Sequence, residues 1–237
     1  MSCGPVEIGN NGDVGTYLIT GATGGIGAAL AGKLHERGHD LILSGRSVQR
    51  LAAGSAEYSG ARTLVLDLAD PAGLADSLGD AELPRLDGLV HSAGALALGT
   101  VEQSSVRDWL EQLMVNVAGP AELTRLLLPA LRAADGHVIF VNSGSGLRTN
   151  PGWGAYSASK HGERALADAL RAEEPGIRVT SVYPGRTATE MQRKVRTHED
   201  GDYEPADYMS PHTVAGVIMN ALETPRDATI HDVSVRG

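Results

Sequence analysis

Seven short apolar runs rich in β-branched residues recur along the chain, with helix-period segments between them. They fall near 16–20 (TYLIT), 40–44 (DLILS), 63–66 (TLVL), 86–91 (LDGLVH), 137–141 (HVIFV), 178–183 (RVTSVY) and 229–235. Strands that alternate with helices return to one sheet in parallel, so the pattern predicts an α/β fold whose sheet is covered on both faces. A helix is expected from Gly25 to about Gly38, a residue type favoured just past a helix end. Two more fit 101–117 and 119–133, the second with Pro120 close to its start, where a missing N–H costs little. Pro211 opens a last helix toward Leu222 in the same way. The longest stretch without an assignment, 186–209, is polar and carries RKVRTHEDGD. A loop of that length in a compact domain is a lid, a binding element or unstructured.

No repeat or linker divides the 237 residues, so one domain over 16–237 is expected after a loose leader, 1–15 (MSCGPVEIGNNGDVG). With 42% apolar residues but one Phe and two Trp, the core must be Ala, Val, Leu and Ile, punctuated by 30 Gly. A formal charge of -9, without a basic run, argues against nucleic-acid binding. The single Cys3 cannot form an internal disulfide, which fits a reducing compartment. No signal sequence or membrane-length apolar run is present. A soluble, cytoplasmic protein without membrane partners is the expectation, and no metal site is expected.

The first run leads into Thr20-Gly21-Ala22-Thr23-Gly24-Gly25-Ile26-Gly27 and then a helix. A strand, glycine turn and helix in this order bring backbone N–H groups and the positive helix end against a pyrophosphate. A glycine cluster elsewhere would read as an ordinary turn; at the first βα junction it reads as a dinucleotide site. Tyr156 and Lys160, four residues apart at the start of a helical stretch, share one face. A phenol ordinarily titrates near pH 10, and a neighbouring ammonium favours the phenolate, which suits general acid–base work. Alone, such a pair reads as a half-buried Tyr beside a surface Lys.

Together these residues resemble the short-chain dehydrogenase/reductase family, in its compact branch with a TGxxxGxG loop (Gly21, Gly25, Gly27). The same eight residues also satisfy TGxxGxxG, the pattern of longer sugar-nucleotide epimerases; length favours the compact branch. The resemblance implies a Rossmann-like, doubly wound sheet of about seven strands and a nicotinamide cofactor. Thr20, Gly21, Thr23, Gly25, Ile26 and Gly27 would form the phosphate loop. Gly45 stands where NAD-preferring relatives have Asp, and Arg46 after it can pair with a 2′-phosphate; otherwise Arg46 is a solvated helix-start residue. NADP(H) is therefore expected over NAD(H), although Thr23 is not the second basic residue that NADP-binding relatives often carry in the loop. Asp67, followed by Leu68, would meet the adenine, while Asp70 before Pro71 reads as a helix cap. Where the family has NNAG, this chain has His91-Ser92-Ala93-Gly94. Ser92, Ala93 and Gly94 would approach the cofactor, and His91 reads as a buried structural histidine.

Ser143, thirteen residues before Tyr156, matches the family's catalytic serine, which holds the substrate oxygen; Ser145 is the competitor on the same loop. Asn116 matches the helix asparagine that, by resemblance, binds backbone and a water linking Lys160 to solvent. Lys160 would bind the nicotinamide ribose and assist the tyrosine. Pro184, Gly185, Thr187 and Thr189 would shape the nicotinamide pocket, with Thr189 on the carboxamide. The implied activity is hydride transfer between nicotinamide and a carbonyl or alcohol, with Tyr156 as proton donor or acceptor. The alternatives are a non-catalytic NADP(H) sensor or scaffold, and an epimerase or dehydratase. The substrate is a small molecule lying between 144–155 and 186–209. Trp153 is either its apolar wall or a structural residue. Arg148, Arg186 and Arg193 either attract an anion or are solvated. The resemblance also implies a homodimer or homotetramer built on the helices of Asn116 and Tyr156. The short 70–86 segment and the end at Gly237 suggest a trimmed member.

Overall fold

In the computed structural model, which describes residues 14–79 and 81–237, the seven apolar runs become seven parallel strands. They are β1 (Thr16–Thr20), β2 (Asp40–Gly45), β3 (Arg62–Val65), β4 (Gly88–His91), β5 (His137–Val141), β6 (Arg178–Pro184) and β7 (Asp232–Val235), in the order β3-β2-β1-β4-β5-β6-β7. Cys3 and most of the leader lie outside the described residues. Strand order reverses between β1 and β4, whose residues Thr20 and His91 are paired. Loops leaving the two strands diverge there, opening the crevice in which doubly wound sheets bind ligands.

The two faces separate by strand period. Ile19, Val90, Ile139 and Val182 point to one core, Leu18, Leu89, Val138 and Phe140 to the other. β4 and β5 are buried throughout, as a central parallel strand covered on both sides must be. The first core is closed by α1 (Gly25–Glu36) and α8 (Pro211–Leu222), and α2 (Val48–Ser55) contributes Leu51. The second is closed by α3 (Leu74–Leu78), α5 (Gly119–Ala134) and α6 (Gly154–Glu173).

Two expectations are corrected. The helix expected over 101–117 begins five residues later, as α4 (Val106–Leu113). Ser105 and Asp108 form a reciprocal capping box there, satisfying first-turn N–H groups that Val101 could not. The chain then widens into a single π-helical turn, Met114–Ala118, before α5. The polar 186–209 segment is not a structureless loop. It contains α7 (Glu190–His198), capped by Thr189, and a 3-10 turn at Pro205–Asp207. Only Gln192 and Val195 of α7 are buried, so apolar periodicity could not reveal it. Ion pairs of Glu199 with Arg186 and Arg196 and the stacking of Arg193 on Tyr203 hold it instead. Among the described residues, no helix is long and apolar enough to cross a membrane.

Candidate active site

At the switch point, Gly21 and Gly25 adopt left-handed backbone angles, φ +68° and +55°, which only glycine takes at little cost. A Cβ on Gly21 would lie 2.8 Å from the Ala93 backbone, and one on Gly27 would lie 2.5 Å from the Gly21 carbonyl oxygen. The loop is therefore compressed against the turn after β4. Thr20 fastens the two turns: its Oγ1 accepts from the Ser92 and Ala93 N–H groups (3.1 and 3.2 Å) and donates to the Val90 carbonyl. Gly24 is the N-cap of α1 and supplies no side-chain cap, so the first-turn N–H groups remain open to an anion. This close-packed, uncapped loop fits a pyrophosphate, the test a dinucleotide cofactor must pass.

From the loop a cleft of about 750 Å³ runs past the ends of β2, β3 and β4 to Tyr156 and Lys160. Gly21, Thr23, Gly25 and Ile26 line it, as do Asp67, Leu68, Ser92, Ala93 and Gly94; Asp67 accepts from the Ala69 N–H at 3.0 Å. Gly27 stands behind it as a packing residue. Arg46 lines the cleft together with Arg50, which donates to the Thr23 carbonyl at 2.9 Å. Arg50, missed in the sequence, is a second cation on the cleft wall, beside the uncharged Thr23. Its signal was the four-residue spacing from Arg46 across the Ser47 cap, which accepts from the Arg50 N–H. Lys194 of α7 also lines this cleft and was hidden by the unassigned segment. Among the described residues, no cluster of three or more His, Cys, Asp or Glu could hold a metal.

A second cavity of about 480 Å³ adjoins the cleft. Tyr156, Asn142 and Thr189 line both; Lys160 faces only the cleft, Ser143 only the second cavity. Asn142 sets the relation between them, accepting from the Ser143 N–H at 2.7 Å and donating to the Lys160 carbonyl at 3.0 Å. Ser143 Oγ accepts from the Ser145 N–H at 3.1 Å, and Ser145 is the more buried of the two. Trp153 stands edge-on to Tyr156, ring centres 5.9 Å apart, and walls the cavity. Pro184, Gly185 and Thr187 line this cavity rather than the cleft. Thr187 donates to the Gly185 carbonyl and Thr189 to the Thr187 carbonyl, so their hydroxyls stabilise the turn into α7.

Asn116 lies on the π-helical turn, fully buried. Its Oδ1 accepts from the Ala95 N–H (2.8 Å), and Nδ2 donates to the Ala95 carbonyl and to Ser159 Oγ (2.9 Å each). Ser159 in turn donates to the Tyr156 carbonyl. Asn116 thus ties the turn after β4 to α6, and neither of its N–H groups is left for a water toward Lys160.

The ammonium of Lys160 points inward. Nζ donates to Glu163 Oε2 at 2.8 Å and to the Val141 carbonyl at 3.2 Å, leaving one N–H of three for the cleft. Burial works against its charge, but Glu163, aided by Tyr156, outweighs burial and holds Lys160 above the ordinary lysine range. Burial pushes the Glu163 carboxyl up against the pull of Lys160, and among the described residues its Oε1 has no hydrogen-bond partner. Glu163 was also missed; its signal was a third position, after Tyr156 and Lys160, on one helix face. His91 is buried and bonded through Nε2 to Thr124 Oγ1 at 2.9 Å. Burial, with the Lys160 charge, pushes it down to about 3, so it is a neutral structural residue, as expected.

Residues 16–200 match the family described as short chain dehydrogenase. The mouse protein named Dehydrogenase/reductase SDR family member 7B is 34% identical over 205 residues, 80% of this chain but only 63% of its own length. A Probable NADP-dependent dehydrogenase of Haemophilus influenzae is 30% identical over 234 residues, 93% of this chain and 92% of that one. Among solved structures, an alcohol dehydrogenase of the archaeon Thermococcus sibiricus, complexed with 5-hydroxy-NADP, aligns with a TM-score of 0.85 at 25% identity, over 94% of this chain and 97% of the other. With its seven-stranded parallel sheet, its glycine loop, and Tyr156 between the cleft that Lys160 lines and the cavity that Ser143 lines, the chain belongs to the short-chain dehydrogenase family of oxidoreductases.

Proposed function

We propose that this protein is an NADP(H)-dependent oxidoreductase that interconverts a carbonyl and an alcohol, with Tyr156 as general acid and base. The observation that carries this reading is the place of Tyr156, which walls both the cofactor cleft and the second cavity, with Lys160 on one side and Ser143 on the other. Bound in the cleft, NADP(H) supplies or accepts the hydride. In reduction, the Tyr156 hydroxyl gives its proton to the carbonyl oxygen as that oxygen gains charge; in oxidation, the phenolate takes the alcohol proton. Ser143 Oγ–H donates to the same oxygen and stabilises its developing charge. The remaining N–H of Lys160 orients the cofactor.

Preference for NADP(H) is supported by Arg46 and Arg50 at the end of β2, by the absence of a carboxylate at Gly45, and by the NADP named for the Haemophilus and Thermococcus relatives. A sensor or scaffold without chemistry would not need Ser143, Tyr156 and Lys160 together. The family's habit of pairing the helices of Asn116 and Tyr156 between copies supports a homodimer or homotetramer, and the composition supports a cytoplasmic setting.

The test is a screen of carbonyls and alcohols with cofactor absorbance as readout, run on the wild-type protein and Tyr156→Phe. The variant should lose at least about 100-fold in kcat, in line with a general acid–base group, while NADPH binding stays within a few-fold. Equal turnover by the two proteins would refute the mechanism.

A further inference from the structure

The second cavity holds an uneven set of charges. Three arginines, Arg148, Arg186 and Arg236, line it against one carboxylate, Glu199. Glu199 is already occupied by Arg186 and by Arg196, the latter at 2.7 Å. Among the described residues, neither Arg148 nor Arg236 makes a side-chain hydrogen bond or ion pair. In a chain whose formal charge is -9, two uncompensated guanidinium groups therefore face the pocket that also contains Ser143 and Tyr156.

Arg236 is delivered there by the sheet. Val235, the last residue of β7, pairs with Pro184, and its carbonyl accepts from the Gly185 N–H at 2.8 Å. The next residue must then leave the sheet beside Gly185, over the loop that follows β5. Its guanidinium lies against Gly144, the neighbour of Ser143. A Cβ on Gly144 would sit 2.7 Å from Arg236 Nη1, 3.4 Å from Nη2 and 3.5 Å from Cζ. A Cβ on Gly185 would lie 3.8 Å from its Cδ. Missing side chains in two loops thus make the berth in which the cation lies beside the serine. Arg148 lines the cavity from the same loop as Ser143, its N–H donating to the Gly144 carbonyl at 3.2 Å. Ile26, Leu96, Trp153 and Val195 add an apolar and aromatic part to the wall, beside the amides of Asn142, Asn150 and Gln192.

We infer that the substrate of this site is a small organic anion, a hydroxy acid or its oxo-acid partner, whose carboxylate is held by Arg236 with Arg148 while Ser143 and Tyr156 hold the reacting oxygen. The inference rests on the oxidoreductase reading. A planar guanidinium matches a carboxylate through paired, charge-assisted hydrogen bonds. Arg236 so close to Ser143 puts the carboxylate a few bonds from the reacting carbon, and the apolar wall takes the short carbon chain between or beside them.

The experiment compares short 2-, 3- and 4-hydroxy acids with their methyl esters, and with phosphorylated alcohols of matched length, as substrates of the full chain with NADP+. At least one acid should exceed its ester in kcat/KM by about tenfold or more, the size of a charge-assisted hydrogen bond. Arg236→Ala should lower that preference about tenfold, mainly through KM, and Arg148→Ala should lower it less. Esters used as well as acids, or a preference unchanged in Arg236→Ala, would overturn the inference. A phosphorylated alcohol favoured over every acid would overturn the carboxylate assignment. Tyr156→Phe separates the two readings. In its NADP+-loaded form the acids, but not the esters, should raise the melting temperature, and Arg236→Ala should remove that rise. Selective binding without wild-type turnover would leave the anion site standing and remove the oxidoreductase reading; turnover with no preference for acids would do the reverse.

Discussion

The Lys160–Glu163 pair can be dissected by a double-mutant cycle. Both side chains are almost wholly enclosed, 3% and 0% exposed, with Nζ and Oε2 2.8 Å apart. Glu163→Leu leaves the ammonium with only the Val141 carbonyl at 3.2 Å, and Lys160→Met takes from the carboxylate its one partner. Removing one side of a buried pair costs about 3–5 kcal/mol, because the other charge stays buried without compensation. Glu163, already pushed up by burial, softens the second change by taking a proton. Replacing both by apolar residues of similar volume is neutral or stabilising by about 1–4 kcal/mol in comparable sites. Glu163→Leu should therefore lose at least about 3 kcal/mol and Lys160→Met somewhat less, and Lys160→Met/Glu163→Leu should return close to the wild-type stability. Urea unfolding at pH 7, followed by far-ultraviolet circular dichroism, measures all four proteins. A double variant destabilised by the sum of the single losses would refute the pairing, as would a Glu163→Leu loss below about 1 kcal/mol. The unpartnered Oε1 sharpens the point: with one carboxylate oxygen unsatisfied, the pair is a costly way to fill this space, and the expected recovery of the double variant measures that cost.

Two buried histidines should make the fold acid-sensitive. Burial, with nearby cations, pushes His91 and His137 down to about 3; between there and the unfolded value near 6.5, only the unfolded chain binds the protons. Their neutral state therefore contributes nothing to pH dependence above about pH 6.5, and stability falls as pH drops below it, by about 1.4 kcal/mol per unit for each histidine. Urea midpoints from pH 7 to pH 4 test this, and His137→Gln should reduce the slope by its own share of about 1.4 kcal/mol per pH unit; an unchanged slope contradicts it. For the cofactor, Arg46→Ala should weaken NADPH about tenfold or more, as loss of a charge-assisted phosphate contact does, and leave NADH within a few-fold. Arg50→Ala should cost less, because that side chain divides its donors with the Thr23 carbonyl. Fluorescence titrations of both cofactors read this directly, and equal losses for NADPH and NADH would show that neither arginine meets a 2′-phosphate.

What the sequence made legible follows from how local each signal is. All seven strands fall on the seven apolar runs; the central β4 and β5, buried on both faces, had to be apolar along their length, while the exposed edge strands β3 and β7 were read from β-branched residues. The glycine loop and the Asp70 cap, which accepts from the Gly73 N–H, could be read because their partners lie within a few residues. Ser143 required the family's spacing, and the structure sets it beside the same cavity as Tyr156. α7 escaped because its cohesion comes from caps and ion pairs, which leave no period. Arg236 escaped for a different reason: it is brought to Gly144 by the pairing of β6 with β7, elements about fifty residues apart in the chain.

Glu163 is the instructive case. The periodicity that joins Tyr156 to Lys160 also carries position 163 to the same helix face. That face is buried against β5 and the π-helical turn, as the Val141 and Asn116 contacts show. A carboxylate there must find a cation or lose its charge. Among the described residues, the cation in hydrogen-bond reach is the lysine three residues before it. The pairing was thus implied by spacing once the face was known to be enclosed; enclosure, which depends on what packs across from the helix, was the premise that residue types alone could not supply.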